Sequence, residues 1–265
     1  MKCLVINLDR SPDRLAHISA EFARIGTTFQ RVAAIDARSH PELGQQPQHP
    51  MYAPRRLLGS EIACLHSHRL CWAILAQEEA PYGAIFEDDV VFSANAGPLL
   101  ADDGWIPPDA DIVKLETYFK KTLIHRRRTA AGHDFSAFRL YKNHPGTGGY
   151  IISRQVACDL LEATETINIT ADDLIFTPAF ATSSSKTIYQ LVPALCAQDQ
   201  FVGDRLPSLL AQERDATGTA NGLVAKCRKP IAERMMREGG RTVQWIIEFC
   251  RGRRHIIVPF DSTGA

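Results

Sequence analysis

The sequence lacks long apolar runs, and this limits the classes of protein it can form. Its longest apolar stretches, such as Leu191–Ala197, are far shorter than the roughly 18–20 residues that a membrane-spanning helix needs. The apolar stretch after Met1 meets charged residues too soon to resemble the core of a signal peptide. We therefore expect a cytoplasmic protein without a membrane span.

The sequence also lacks paired cysteines. Seven cysteines are scattered along the 265 residues, and no Cys-x-x-Cys pair occurs. This pattern excludes a disulfide framework and the common zinc modules, so we expect free thiols in a reducing compartment.

Net charge is absent as well, because 30 basic and 30 acidic side chains cancel. The cancellation hides an uneven distribution: residues 226–254 contain nine basic and three acidic side chains, interleaved with Trp245, Ile246, Ile247 and Phe249. A basic segment with apolar bulk is typical of helices that lie on an anionic membrane surface. It predicts peripheral contact with the inner face of the cytoplasmic membrane, and the alternative is a helix packed on the rest of the protein.

The first 35 residues predict a strand, an amphipathic helix and a second strand. Lys2–Leu8 is mostly apolar, Ser11 is placed to cap a helix that Gly26 ends, and Phe29–Ile35 is the next apolar run. A βαβ unit implies a parallel sheet flanked by helices, so the expected fold class is α/β, Rossmann-type.

The rest of the chain continues this alternation. We predict a catalytic domain over 1–200 and a basic helical extension over 201–265. Further expected helices begin at Ser60 and at Arg154, the latter capped by Ser153, and further expected strands are Gly83–Phe86, Asp111–Leu115, Gly149–Ile152 and, as the last core strand, Ile188–Pro193.

Three consecutive acids, Glu87, Asp88 and Asp89, follow an apolar strand. Adjacent carboxylates raise one another's pKa unless a cation lies among them. Alternate residues of a strand share a face, so Glu87 and Asp89 are expected to project together while Asp88 points away or caps the next turn. Oxygen ligands in this arrangement suit Mg²⁺, Mn²⁺ or Ca²⁺, and the alternative is a solvated acidic turn.

A second acidic pair, Asp172 and Asp173, precedes a short apolar run. Either residue can cap a helix there. The functional interpretation is a general base that takes a proton from a substrate hydroxyl, and the sequence does not choose between the two residues.

Other polar clusters are weaker signals. Asp9, Arg10 and Arg14 follow the first strand, where nucleotides often bind, and His68 lies on an apolar helix face that also suits a core histidine. The basic stretch Lys120–Arg128 can meet substrate phosphates or form a solvated loop, and its low aromatic content argues against nucleic acid.

Taken in order, several segments resemble glycosyltransferase family 25, the lipopolysaccharide and lipooligosaccharide galactosyltransferase-like enzymes. The resemblance covers roughly residues 1–200, and its departures are Ala37, where the family has glycine, and the basic stretch. The matching segments are Val5–Ser11 with Asp13 and Arg14, Ala33–Ala37, Gly59–Cys64 with Ser67 and His68, Phe86–Val90, Gly148–Ser153, and the segment of Asp172 and Asp173, with Pro193 and Gln198 behind them.

The resemblance implies a GT-A-like fold and transfer of a hexose, most often galactose from UDP-galactose, with Mn²⁺ or Mg²⁺ and inversion at the anomeric carbon. The implied acceptor is a glycolipid or oligosaccharide of the lipopolysaccharide type. The implied metal ligands are Glu87 and Asp89, and the base is Asp172 or Asp173. The remaining implied donor-binding residues are Asn7, Asp9, Arg10, Arg14, Ser67, His68 and Asp88, with Glu87 near the ribose or a metal-bound water.

Two other functions remain open at this point. A metal-dependent nucleotidyl- or phosphoryl-transferase also places acids at strand ends, and it releases pyrophosphate where a glycosyltransferase releases UDP. A catalytically silent glycan-binding assembly factor turns over no donor, although it has no need for so many carboxylates at strand ends. The acceptor, the linkage and the choice of galactose over glucose are not encoded in any motif.

Overall fold

The computed structural model describes residues 1–45, 56–142, 144–165, 169–203, 206–216 and 245–261. The helices are α1 Pro12–Arg24, α2 Gly59–Ala76, α3 Ala96–Ala101, α4 Arg154–Ala163, α5 Ala171–Phe176, α6 Ala181–Ser184, α7 Asp199–Val202 and α8 Leu209–Ala216, with short 3₁₀ turns at Ala37–Ser39 and Pro41–Gln45. The strands are β1 Lys2–Asn7, β2 Gln30–Ala33, β3 Tyr82–Glu87, β4 Val90–Phe92, β5 Ile112–Lys114, β6 Glu116–Thr117, β7 Lys121–Gly132, β8 Phe135–Leu140, β9 Gly149–Ser153, β10 Ile188–Val192, β11 Cys196–Gln198 and β12 Arg253–Ile257.

Within the described residues the main sheet has nine strands in the order β12-β7-β8-β10-β5-β9-β3-β1-β2. All of them run in one direction except β8, β9 and β12, as the parallel pairings of β1 with β2 and β3 and of β10 with β5 require. A smaller sheet, β4-β11-β6, stands beside it. Because parallel strands end at the same edge, this arrangement gathers the ends of β1 and β3.

The N-terminal βαβ unit is confirmed. Ile18 and Phe22 of α1 are buried, and the Phe22 ring packs edge-to-face on Phe86 and Phe92 at 5.7 and 5.0 Å. The expected capping differs in detail: Ser11 occupies the N-cap position without a side-chain hydrogen bond to the helix. Burial of such side chains, at about 1.5–3 kcal/mol each, holds α1 on one face of the sheet.

Helix α2 covers the other face and is buried on several sides, because its apolar residues cover most of its circumference. Leu65 and Trp72 are fully buried among residues of β3, β9 and α4. Helix α4 follows the expected Ser153 cap, whose hydroxyl accepts a hydrogen bond from the Val156 amide at 3.3 Å. Packing on several sides thus fixes the position of α2 against the sheet.

The C-terminal part of the chain differs from the sequence prediction. Ile188–Val192 is not the last strand of the main sheet, because Arg253–Ile257 (β12) pairs antiparallel with β7 at its edge. The expectation of a helical extension over 201–265 did not include this strand, although α8 and residues 245–250 are helical. The pairing arises from residues more than a hundred positions apart, which local periodicity does not reveal.

The basic stretch also differs from the loop alternative. Arg126, Arg127 and Arg128 are exposed on β7, a long strand that forms a hairpin with β8.

Among the helices of the described ranges, none is long and apolar enough to cross a membrane.

Candidate functional site

A cleft of about 640 Å³ opens where β1, β2 and β3 end. Its walls come from the loop after β1, the start of α1, the turns after β2, the first half of α2, the acids after β3 and the start of α8. The polar residues lining it include Asn7, Arg10, Arg14, Asp36, Ser60, Ser67, Glu87, Asp88 and Asp89. The cleft therefore lies at the carboxyl edge of the sheet, where open α/β folds bind their ligands.

Arg14 joins the last two acids of the triplet. Its Nε donates to Asp88 Oδ1 at 2.7 Å, and its Nη2 lies 2.8 Å from Asp89 Oδ2. Asn7 Nδ2 donates to the other oxygen of Asp88 at 2.7 Å. All four side chains are buried. The guanidinium supplies positive charge among the carboxylates, and the sequence analysis gave that role to a metal alone.

Strand alternation predicted that Asp88 points away from the site or caps the following turn, and this prediction is wrong. Its carboxylate is held by Asn7 and Arg14, because the chain turns sharply between β3 and β4 and the strict alternation of a strand ends at Glu87. Asp88 thus orients Arg14 toward Asp89.

The two carboxylate oxygens of Asp89 have different surroundings. Asp89 Oδ1 is buried and has no hydrogen-bond partner within the described part of the chain, while Oδ2 faces Arg14. Burial and the nearby charge of Glu87 raise the pKa of Asp89 to about 7, against the opposing charge of Arg14. A buried oxygen without a partner is costly unless a ligand supplies one.

Glu87 turns toward different partners. Thr147 Oγ1 donates to Glu87 Oε1 at 2.6 Å, and Gln198 Nε2 donates to Oε2 at 3.3 Å. His68 Nε2 lies 3.6 Å from Oε1. Burial favours protonation of Glu87, but the interactions with His68 and Thr147 and the charge of Arg14 keep its pKa below the usual value. Glu87 is thus held as a carboxylate beside the Asp88–Asp89 pair.

A buried chain of polar groups positions His68. The Trp72 indole N–H donates to the Tyr150 hydroxyl at 3.0 Å, and that hydroxyl hydrogen-bonds His68 Nδ1 at 2.8 Å. All three residues are fully buried. His68 is absent from the residues that line the cleft, so its position does not support direct nucleotide contact.

The glycine-rich turn before β9 rests on a buried ion pair. Lys114 Nζ donates to the Gly146 carbonyl at 2.5 Å and lies 3.2 Å from Glu116 Oε2, which accepts the Gly148 amide at 3.0 Å. Gly146 has φ of +95°, and a Cβ on Gly148 would lie 2.9 Å from Glu116 Oε1. The pair fixes the turn that carries Thr147, and hence the hydrogen bond to Glu87.

Glu116 itself has a perturbed environment. Burial raises the pKa of Glu116 to about 7, although the charge of Lys114 opposes this shift. This pair was not predicted from the sequence. A lysine and a glutamate two residues apart among the apolar residues of β5 and β6 share one face, and this alternation is the signal that could have revealed them.

A second cavity of about 280 Å³ lies on the other side of Glu87. Glu87, Cys64, Ser208 and Leu210 line both cavities, so the two share a wall. Lining residues found in this cavity alone include Glu61, Tyr118, Lys120, Gly146, Thr147, Thr170, Asp172, Gln198 and Gln200.

The structure separates Asp172 from Asp173, both in the first turn of α5. Asp172 lines the second cavity. Asp173 is buried, and its two carboxylate oxygens accept hydrogen bonds from the hydroxyls of Thr170 and Thr177 at 3.0 and 2.8 Å. Asp173 thus closes the turn around α5, and Asp172 faces the space where a ligand can enter.

Three other predicted donor-binding residues have distinct positions. Arg10 lines the cleft and forms an ion pair with Asp36 at 2.6 Å. Ser67 also lines it, but its hydroxyl is engaged by the Ile35 amide at 2.9 Å. Asp9 is exposed, pairs with Arg31 and lies outside the described lining of both cavities.

Comparison with known proteins gives the class. The family model described as "Glycosyltransferase family 25 (LPS biosynthesis protein)" matches residues 1–175. The chain is 34% identical over 204 residues to the lacto-N-neotetraose biosynthesis glycosyltransferase LgtE of Neisseria gonorrhoeae, covering 74% of this chain and 73% of that one. It is 35% identical over 206 residues to LgtB of Neisseria meningitidis serogroup B, covering 74% of each.

Solved structures similar to this chain include a glycosyltransferase involved in the glycosylation of the major capsid of PBCV-1. That chain has a TM-score of 0.40 and 10% identity, with 82% of this chain and 98% of that one covered.

The matched family and relatives define this protein as a glycosyltransferase. Its fold is of the predicted α/β class, a mostly parallel sheet flanked by helices. More particularly, the chain belongs to glycosyltransferase family 25.

Proposed function

We propose that the protein transfers a hexose, with galactose as the expected sugar, from a UDP-sugar to a glycan acceptor of the lipopolysaccharide type. The observation that carries this proposal is the shared wall between the two cavities: Asp88 and Asp89 lie in the larger one, Asp172 lies in the smaller one, and Glu87 borders both. A transferase that joins two substrates needs two adjoining sites with its polar groups where they meet.

The larger cleft suits the nucleotide-sugar donor. A volume of about 640 Å³ falls within the range of ligand pockets, roughly 300–1,000 Å³. Arg10 lies at its entrance with its side chain one-third exposed, so its guanidinium can reach a diphosphate. Arg14 is committed to Asp88 and Asp89 and acts by orienting them.

The residues at the triplet fit a divalent cation. The buried Asp89 Oδ1, without a partner among the described residues, is the hard oxygen donor that Mn²⁺ or Mg²⁺ prefers. Glu87 has less free capacity, because its oxygens already accept from Thr147 and Gln198. When bound, such an ion offsets the charge that develops on the departing diphosphate.

The smaller cavity suits the acceptor. The oxygen of the acceptor hydroxyl would bond to the anomeric carbon while the bond from that carbon to the diphosphate breaks. Asp172 would accept the proton of that hydroxyl in the same step. The departing group is UDP, and a single displacement inverts the anomeric centre. Lys120 and Gln200 line the same cavity and can hydrogen-bond sugar hydroxyls.

The nature of the acceptor rests on the relatives. LgtE and LgtB are named for lacto-N-neotetraose biosynthesis, and the family description names LPS biosynthesis. On this basis we propose a glycan acceptor of the lipopolysaccharide type for the present chain.

The test is a panel of UDP-sugars incubated with the full chain, Mn²⁺ and a deacylated lipooligosaccharide acceptor. We expect UDP release from one donor, UDP-galactose, together with a mass gain of one hexose on the acceptor. Release of pyrophosphate would instead indicate a nucleotidyl-transferase. If every donor stays intact with Mn²⁺ present, the protein is a binding module and the proposal is wrong.

We also propose that the protein binds an anionic membrane, where a lipid-linked acceptor resides. Trp245, Ile246, Ile247 and Phe249 are exposed on the helical residues 245–250. The Arg126 guanidinium lies 4.0 Å from the centre of the Phe249 ring, so the basic strand β7 borders this apolar face. Residues 226–244 of the basic segment lie outside the described residues. Arg127, Arg128, Arg251 and Arg254 are also exposed, in β7, in the turn after residue 250 and in β12.

Vesicle sedimentation tests the membrane proposal. We expect the chain to bind vesicles that contain phosphatidylglycerol, and to bind less as salt is added. The double variant Trp245→Ser, Phe249→Ser should bind about tenfold or more weakly, because it loses two rings that each contribute more than about 1 kcal/mol on insertion. The matched control is Leu70→Ser, an exposed apolar residue of α2. The proposal would be contradicted if the chain bound neutral vesicles as strongly as anionic ones. It would also be contradicted if the double variant bound anionic vesicles as strongly as the unmodified chain.

A further inference from the structure

We propose that Cys64, His68 and Glu87 form a second metal site, selective for Zn²⁺, in the wall between the two cavities. The Cys64 sulfur, a ring nitrogen of His68 and a carboxylate oxygen of Glu87 all lie within 4.8 Å of one another. Ligand atoms around a tetrahedral zinc lie about 3–4 Å apart, so small side-chain rotations close the set.

The backbone favours this grouping. Cys64 and His68 are four residues apart on α2, so their side chains project from the same face of the helix. Glu87, at the end of β3, faces them with Oε1 at 3.6 Å from His68 Nε2. Two elements that are both fixed by core packing thus present the three ligands to one point.

His68 is oriented in the manner of a metal ligand. Its Nε2 is buried and has no hydrogen-bond partner among the residues described, although the rest of the ring is well held. Nδ1 is engaged by the Tyr150 hydroxyl, which Trp72 holds in turn. Zinc binding at Nε2 requires the tautomer in which Nδ1 carries the proton and donates it to the Tyr150 hydroxyl, which also accepts from the Trp72 indole. Metal-binding histidines typically donate their second N–H to an acceptor in this way, which orients the ring and its free nitrogen.

The ligand types select the metal. A thiolate, an imidazole and one carboxylate are a zinc set, whereas Mn²⁺ and Mg²⁺ prefer oxygen ligands. This site is therefore distinct from the proposed manganese position at Asp89, whose second oxygen faces Arg14. Three protein ligands leave a fourth position for water, on the side where Cys64 and Glu87 border both cavities.

Zinc at this position would inhibit transfer. It would draw Glu87 away from Thr147 and Gln198, whose hydrogen bonds hold that carboxylate beside Asp88 and Asp89. The inhibitory consequence rests on the proposed function, whereas binding itself does not.

Cobalt substitution tests binding without any substrate. We expect Co²⁺, added to the full chain with a thiol-free reductant, to give the near-ultraviolet absorption of a cobalt–thiolate bond, and Zn²⁺ to abolish it. Cys64→Ser should lose this band, and Glu87→Gln should bind Co²⁺ more weakly, because an uncharged amide replaces a carboxylate ligand. The matched control is Cys158→Ser, an exposed thiol on α4, which should keep the band. Circular dichroism of each variant verifies folding.

Two results would overturn the site: absence of a thiolate band in the unmodified chain, or an unchanged band in folded Cys64→Ser. A second arm measures transfer with added Zn²⁺, each protein relative to its own zinc-free rate. We expect the unmodified chain to be inhibited and Cys64→Ser to resist. If no protein transfers sugar but the cobalt band behaves as expected, the proposed function fails and the zinc site stands.

Discussion

Asp89→Asn is expected to reduce hexose transfer by about 100- to 1,000-fold, the range for losing one preorganised contact to developing charge. The substitution keeps the shape of the side chain and a hydrogen-bonding atom for Arg14. It removes the negative charge of a carboxylate whose Oδ1 is buried and lacks a hydrogen-bond partner among the described residues. The loss should therefore fall on metal-dependent catalysis and leave the fold intact.

The measurement is initial rate against Mn²⁺ concentration, with thermal unfolding as a check on folding. Asp134→Asn is the matched control, because Asp134 lies exposed in the turn between β7 and β8 at φ of +68°, a conformation that asparagine also adopts. A variant at Asp89 with unchanged rate and unchanged Mn²⁺ dependence would refute the metal assignment.

Asp172→Asn is expected to lower kcat by about 100- to 10,000-fold while leaving donor affinity unchanged, since a general base contributes in that range. Asp172 lines the smaller cavity and lies apart from the cleft assigned to the donor. The effect should therefore appear in turnover with acceptor present, and donor binding measured by calorimetry should not move.

Asp173 provides the internal comparison. Asp173→Ala removes the acceptor of two threonine hydroxyls, so it should lower the free energy of unfolding by about 1–3 kcal/mol. Its turnover per folded molecule should stay within a small factor of the unmodified rate. The reverse outcome, a stable but inactive Asp173 variant beside an active Asp172 variant, would exchange their roles.

Local pattern predicted the parts of the fold that depend on neighbouring residues. The βαβ unit, the Ser153 cap and the buried helix α2 follow from apolar periodicity and end signals within a few residues. The acidic triplet was located at the end of β3 for the same reason, because a short apolar run bounded by charge defines where a strand stops.

The parts that depend on distant pairing were not predictable in this way. That Arg14 would neutralise Asp88 and Asp89 required knowing that α1 and the end of β3 meet. The support of the glycine turn by Lys114 and Glu116, and the separation of Asp172 from Asp173, depend likewise on which loops converge. For Lys114 and Glu116, a signal was available in the sequence, because both are charged residues inside apolar strands.

The position of β12 bears on how the edge of the main sheet is protected. Besides pairing with β7, the chain just after β12 is fastened to the smaller sheet and its approach: Thr117 Oγ1 donates to the Val258 carbonyl at 2.8 Å, and the Ala194 amide donates to the Pro259 carbonyl at 2.8 Å. Without residues 253–259, β7 would be an open edge whose unpaired backbone can recruit another chain. Pairing with β12 thus protects the basic edge of the main sheet from edge-to-edge association.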